Sequence, residues 1–319
     1  MSAAALDLIT VGRISVDLYA QELNTGFDEQ QSFAKSVGGS PTNVAVAAAR
    51  LGHSSAVATK VGDDPFGGYV RSRLHDWGVD TRFVGTHPQA RTPLAFAALD
   101  PPEDPQIMFY RWPYAPDSTL VVDDVPQDQI RSCRVLWMSL GALSSGTTAE
   151  ASLAWMQQRA RAPQVVIDLD YRPSMWESES AARDQAQAAL ALSTVAVGNR
   201  EECRMAVGTD EPDAAADALL AAGISLAIVK LGGGGVLLAT ADGRWRVPPV
   251  PVTVVCGLGA GDAFGGALVH GLLSGWDVPT IGRFANAAGA HVAAQLTCAD
   301  AMPTVAQVEQ LIISAGGTS

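Results

Sequence analysis

The chain of 319 residues is 48% hydrophobic and 17% charged, which excludes a disordered or low-complexity protein and allows one large α/β domain or two small ones. Its 21 basic against 33 acidic residues give a formal charge of −12, so a basic groove for nucleic acid and a polybasic patch for a membrane surface are excluded. The opening MSAAALDLITVG lacks the basic start and cleavage site of a signal peptide, Ala214–Val229 is too short and too broken to span a bilayer, and the 4 cysteines show no metal-ligand spacing, which together predict a cytoplasmic protein with reduced thiols.

Leu6–Gly12 reads as a short buried strand closed by glycine. From residue 13 to 37 the pattern loosens into polar alternation such as Val16-Asp17-Leu18-Tyr19. Pro41–Leu51 reads as an Ala-rich helix with Gly52 behind it, Ala56–Val61 as a strand, and Pro65–Trp77 as a helix stopped by Gly78. Two alternating runs, Thr92–Leu99 and Gln106–Arg111, flank a turn-rich Asp-Pro segment and predict a hairpin-like pair with no helix inside it. Strands follow at Val135–Ser139, Val165–Leu169, Val195–Val197 and Leu226–Leu231. Between them lie helices around Thr148–Arg161, Ser180–Leu192, from Glu201, and over Asp213–Ala222. Val236–Ala239 and Arg244–Val247 make a hairpin, and Gly261–Leu273, Thr280–Ala294 and Val305–Ile313 are helical. Helices between short buried strands predict a mostly parallel sheet covered on both faces. The polar strands inserted at about 13–37 and 91–113 do not fit that sheet, and predict a small second sheet forming a lid on a single domain over 1–319.

Cys256-Gly-Leu-Gly-Ala-Gly-Asp-Ala-Phe264 opens the strongest of these helices. Small residues at a helix start leave amide N–H groups facing outward at the positive end of the helix dipole, so Gly259, Ala260 and Gly261 form an anion cradle. Asp262 follows in the first turn. It is either an ordinary partner of the dipole or, beside such a cradle, the base that phosphoryl transfer to a hydroxyl requires. No Gly-Lys-Ser/Thr loop, dinucleotide fingerprint, HExxH or GxSxG competes with it. A second glycine turn, Gly38-Gly39-Ser-Pro-Thr-Asn43, lets a small ligand approach the backbone and puts Asn43 on a first helical turn; a capped turn is the plain alternative. Asp168 and Asp170, at a strand end, read equally as site residues or solvated loop acids, and neither is assigned.

These two stretches resemble the two signatures of the PfkB, or ribokinase-like, family of carbohydrate kinases. They are Gly38-Gly39-x-Pro41-x-Asn43-x-Ala45 with Gly52 and Gly62, and Gly259-Ala260-Gly261-Asp262 far downstream. The resemblance implies a ribokinase-like three-layer α/β sandwich with a mostly parallel central sheet and a small β-sheet lid. It implies phosphoryl transfer from ATP, with Mg²⁺, to a sugar hydroxyl. Asp262 is then the catalytic base, the amides of Gly259, Ala260 and Gly261 the anion hole, and Asp17, Gly38, Gly39 and Asn43 the partners of sugar hydroxyls. Asn199 and Glu202 match the family's Asn-x-x-Glu, whose carboxylate helps place Mg²⁺ and phosphates through water. Lys230, Gly232 and Gly235 match the strand end and turn along the nucleotide, and Asn286 lies where the family packs adenine. The plain alternatives are a capped helix start at 199–202, a flexible turn at 232–235 and an ordinary helix position for Asn286. Cys256 stands where the family pattern usually has Asp, which leaves a monovalent-cation requirement open; the residue itself reads as a small buried side chain.

Arg111 and Arg172 suit a carboxylate through paired charge-assisted bonds, or, taken singly, a surface ion pair. Their segments, with Gly12–Tyr19 and Ser32–Lys35, resemble those of the sugar-acid kinases in this family. The acceptor so implied is the primary hydroxyl of 5-dehydro-2-deoxygluconate, an acid of myo-inositol catabolism, with 2-keto-3-deoxygluconate and then fructose as alternatives. A sugar or nucleotide sensor on the same fold is the reading from another class, and an intact Asp262 speaks against it. The expected partners are a sugar acid and ATP, with no nucleic acid, no membrane, and a second copy meeting through the lid.

Overall fold

The computed structural model describes residues 5–316. Its first half runs β1 (Leu8–Val11), β2 (Ser15–Leu23), β3 (Phe33–Gly38), α1 (Ser40–Arg50), β4 (Ser55–Gly62), α2 (Pro65–Asp76), β5 (Val84–His87), β6 (Leu94–Leu99), β7 (Gln106–Tyr110), α3 (Gln127–Ser132), β8 (Val135–Ser139) and α4 (Gly146–Arg159). The second half runs β9 (Gln164–Asp168), α5 (Glu179–Ala191), β10 (Val195–Asn199), α6 (Arg200–Val207), α7 (Pro212–Ala221), β11 (Leu226–Lys230), β12 (Val236–Thr240), β13 (Gly243–Val247), α8 (Ala260–Ser274), α9 (Val278–Ala293) and α10 (Val305–Ser314).

Nine strands form one sheet in the order β13-β12-β11-β10-β9-β8-β1-β4-β5, parallel except along the β11-β12-β13 edge. The middle strands bury every side chain, as in β1 (Leu-Ile-Thr-Val) and β8 (Val-Leu-Trp-Met-Ser), which is why they read as runs rather than alternation. Successive residues enter opposite layers. Leu8, Val135 and Trp137 pack with α1, α2 and α8 to α10, whereas Ile9, Leu136 and Met138 pack with α3 to α7. α8 lies so close to α1 that a Cβ on Gly266 would run into Ala47, and this approach brings the first turns of the two helices together. Two elements escape the sequence patterns. β5 is a four-residue edge strand, and α3 has only six residues, too few for a helical period to register.

The stretches around 13–37 and 91–113 supply the second sheet, in the order β3-β2-β6-β7. β2 and β6 pair in parallel and the outer pairs are antiparallel. Along β7 the side chains alternate, so that Ile107 and Phe109 face a cleft while Met108 and Tyr110 are exposed. Among the described residues no helix is long and apolar enough to cross a membrane.

Candidate active site

A cleft of about 850 Å³ lies between the carboxyl ends of the parallel strands and the small sheet. Arg13 reaches it from beyond β1, Asp168, Asp170 and Arg172 from the end of β9, Asn199 from β10 and Lys230 from β11. This is the edge at which open α/β sheets hold ligands, because loops and helix starts converge there.

At one end stands the start of α8. Gly259 is its N-cap at φ 80°, in the left-handed region, and a Cβ there would also lie 2.5 Å from the Cys298 Sγ. No side chain caps this helix, and Gly259, Ala260 and Gly261 line the cleft. Asn43 Nδ2 donates to Asp262 Oδ2 at 2.8 Å. Burial pushes the Asp262 carboxyl up to about 6, against the hydrogen bonds from Asn43 and Ser40 and the nearby Lys230, which lower it. A carboxyl so placed is ionised at neutral pH and still able to take a proton.

Lys230 Nζ lies 3.9 Å from Glu202 Oε2, and a Cβ on Gly261 would come within 3.2 Å of it. Burial works against this ammonium, but Glu202, Asp168 and Asp262 outweigh burial and hold it above its ordinary value. Asp168 accepts from the Ser40 hydroxyl at 3.3 Å and is pushed up to about 7, by burial first and then by Asp170, Glu202 and Asp262, with Lys230 opposing. Asn199 and Glu202 cap each other: Glu202 N donates to Asn199 Oδ1 at 2.9 Å, and Asn199 N to Glu202 Oε2 at 2.6 Å. The capping alternative is therefore realised, and the same cap holds a buried Glu202 on the cleft wall. Gly232 and Gly235 line the cleft beyond β11, as does Asn286 on α9, whose Nδ2 donates to Pro248 O at 2.6 Å.

Among the described residues, no group of three or more His, Cys, Asp or Glu side chains is arranged to hold a metal ion alone. Yet Glu202, Asp168 and Asp262 share one lysine at this end, which fits a divalent ion carried by phosphates and keeping most of its waters.

At the other end, the Asp17 carboxylate accepts from Ser15 Oγ at 2.6 Å and Tyr19 Oη at 3.1 Å, and burial pushes its pKa up. Gly39 and Asn43 line the cleft beside it, but Gly38, expected among the hydroxyl partners, does not. A Cβ on Gly38 would run into the Asp17 carboxylate, so its contribution is the space that Asp17 occupies. Arg111 pairs with buried Asp117, Nη1 to Oδ2 at 3.1 Å, and Arg172 Nε lies 3.2 Å from Asp170 Oδ1. Asp170 also pairs with Arg13. Burial pushes Asp170 up, but Arg13 and Arg172 prevail and hold it below its ordinary value.

Arg13, Asp168 and Asp170 are cleft residues that the sequence alone does not assign. Arg13 lies in the Gly12–Tyr19 segment that resembles the sugar-acid kinases, but the resemblance gives this residue no role of its own. Acids at a strand end look the same whether a cleft or solvent receives them. Cys256 is buried and its thiol is pushed up to about 11 by burial, which makes it a neutral packing residue. Gly257 N donates to Pro102 O at 2.8 Å, tying the loop before α8 to the β6–β7 turn of the small sheet.

The sequence pattern of the pfkB family carbohydrate kinases matches residues 5–305. A 5-dehydro-2-deoxygluconokinase from Geobacillus kaustophilus is 34% identical over 314 residues, which cover 96% of this chain and 93% of that protein. Among solved structures, a PfkB protein from Polaromonas superposes with a TM-score of 0.82 at 28% identity, covering 93% of this chain and 98% of that one. A fructokinase double mutant from Vibrio cholerae, solved with fructose, ADP and potassium ion bound, gives 0.85 at 27% identity, covering 97% and 99%.

Proposed function

The chain belongs to the pfkB family of carbohydrate kinases, enzymes that phosphorylate a sugar on the ribokinase-like fold, and we propose that it moves the γ-phosphoryl group of ATP to the primary hydroxyl of 5-dehydro-2-deoxygluconate. The observation that carries this reading is the Asn43–Asp262 pair beside the uncapped start of α8: a carboxyl poised near neutral pH next to a cradle of amides. The sugar acid lies under the small sheet with its hydroxyls on Asp17, Gly39 and Asn43 and its carboxylate toward Arg111 and Arg172. The nucleotide lies across Gly232–Gly235 and Asn286, with its terminal phosphate at Gly259–Gly261.

Asp262 takes the hydroxyl proton as the oxygen attacks phosphorus in line, and the amides with Lys230 take up the charge spread over the moving phosphoryl group. Mg²⁺, when bound, neutralises phosphate charge, and Glu202 holds its waters. The small sheet closes over the reactants and keeps water from the phosphoryl group. The relatives named for the acid and the two cleft arginines support the acid acceptor; the fructokinase neighbour makes fructose the competing one. Exposed Met108, Tyr110 and Trp112 at the β7 edge support two copies meeting through the small sheet. The experiment is incubation with Mg²⁺, ATP and the acid, followed by NMR of the product. A phosphate ester on the primary hydroxyl is expected. ADP release without an ester, or an ester on another hydroxyl, overturns the reading.

A further inference from the structure

Three guanidinium groups and three carboxylates meet at the sugar end of the cleft: Arg13, Arg111 and Arg172 with Asp17, Asp117 and Asp170. The charges are matched in number, so what this end leaves over is a hydrogen-bond donor, and a buried donor is costly until an acceptor completes it. Arg13 is the most enclosed of the three, with a side chain 9% exposed against 19% for Arg111 and 43% for Arg172. One of its terminal nitrogens is on Asp170, but its buried Nε–H has no partner.

That Nε faces Gly141, where a Cβ would lie 3.0 Å away, so the missing side chain leaves it room. Both residues line a side cavity of about 20 Å³, large enough for one oxygen-sized group. Among the described residues, Arg13 and Arg111 are the two that line both this cavity and the main cleft, so they form the wall between them. Ser144 and Ser145 also line the cavity, and Ser145 is the N-cap of the 14-residue α4, whose start has no side-chain cap. Asp117 lines the cavity as well, but its carboxylate is taken up by Arg111 and the Ile14 N–H, so the unpartnered Arg13 Nε–H and the positive end of α4 are what this small space offers an anionic oxygen.

We propose that Arg13 is a specificity-determining residue that, together with Arg111, takes the carboxylate of the sugar acid at the wall the two arginines form between the cleft and this cavity. Arg172 is held to the same group because Asp170 bridges it to Arg13. The inference rests on the sugar-acid reading of the function and adds the residue that enforces it.

The test is the ratio of kcat/KM for 5-dehydro-2-deoxygluconate to that for fructose, in the wild type and in two variants. Arg13→Gln gives up the charge, and Arg13→Lys keeps it but gives up the planar fork. The ratio is expected to fall about 30-fold in the first and about tenfold in the second, the loss appearing as a raised KM for the acid, while KM for ATP stays within about twofold. An unchanged ratio in both variants overturns the proposal. An equal loss on both acceptors also overturns it, since a merely structural Arg13–Asp170 pair would act on every substrate alike. Should Arg13→Gln not fold, Arg13→Lys and Gly141→Ala, which crowds Nε alone, carry the test, and a KM for the acid unmoved in both counts against the role. A wild type that prefers fructose removes the sugar-acid function itself. A wild type that prefers the acid, with variants that keep the preference, removes only the role of Arg13.

Discussion

At the α8 end of the cleft, Glu202, Asp168 and Asp262 share the single ammonium of Lys230, whereas at the sugar end Arg13, Arg111 and Arg172 share Asp117 and Asp170. Acids outnumber the base at the first end and, with Asp17, three acids match three arginines at the second, yet both face anions in the proposed reaction. The difference is in what does the binding. At α8 the uncapped amides of a helix start offer fixed partial charge to the phosphoryl group, so side-chain carboxylates are free to manage a proton and the waters of a metal ion. At the sugar end side chains oppose the ligand's charge directly, and discrimination between an acid and a neutral sugar depends on them.

The sharpest way to break this division is Asp262→Asn, which leaves the cradle intact and removes the base. The turnover number should fall by about 10²–10⁴, with KM for ATP near the wild-type value, in a coupled assay of ADP release. A variant within tenfold of wild type would show that the carboxylate does not manage the proton. Next in size is Arg172→Ala, expected to raise KM for the acid by about 10–100-fold while leaving kcat within a few-fold. A drop in kcat alone would place this arginine in the chemistry instead.

The pH profile sharpens the α8 side. Asp262 accepts a proton only when ionised, and its pKa lies near 6 rather than at its ordinary 3.8. The acid limb of kcat/KM should therefore rise through about pH 6 and flatten above it; a limb near pH 4 would contradict the buried, poised carboxyl. The smallest effect is on stability. Asp168 is held at about 7 when folded and 3.8 as its ordinary value, so folding binds the proton more tightly and loses stability as pH rises from about 4 to 7. Asp168→Asn should raise the melting temperature by about 2–4 °C at pH 8 and by nothing below pH 4. Equal shifts at both pH values would mean that packing, not ionisation, is responsible.

The same contrast explains what the sequence made legible. An amide cradle needs small residues at consecutive positions, so Gly259-Ala260-Gly261-Asp262 is contiguous and stands out in the chain. The sugar end is assembled from residues 13, 111, 117, 170 and 172, whose spacing follows the order of strands in the sheet rather than any local rule. Arg111 and Arg172 were recognisable from their neighbours. Arg13 sits in the equally recognisable Gly12–Tyr19 stretch, yet its role was not legible, because it depends on Asp170 and Gly141, both far away in the chain. Gly38 shows a subtler limit: the sequence marks it as a close approach, but only the fold reveals that the approaching group is the Asp17 carboxylate. The layered sheet was legible because its middle strands are buried on both faces. β5 was hidden by its brevity at the edge.

The most direct test of the account is the preference of the wild-type enzyme, measured as kcat/KM with saturating Mg²⁺ and ATP for 5-dehydro-2-deoxygluconate and for fructose. A sugar end with three guanidinium groups, one of them carrying a buried N–H without a partner, predicts the acid favoured by about 10² or more. Fructose used as well as the acid, or better, would contradict it.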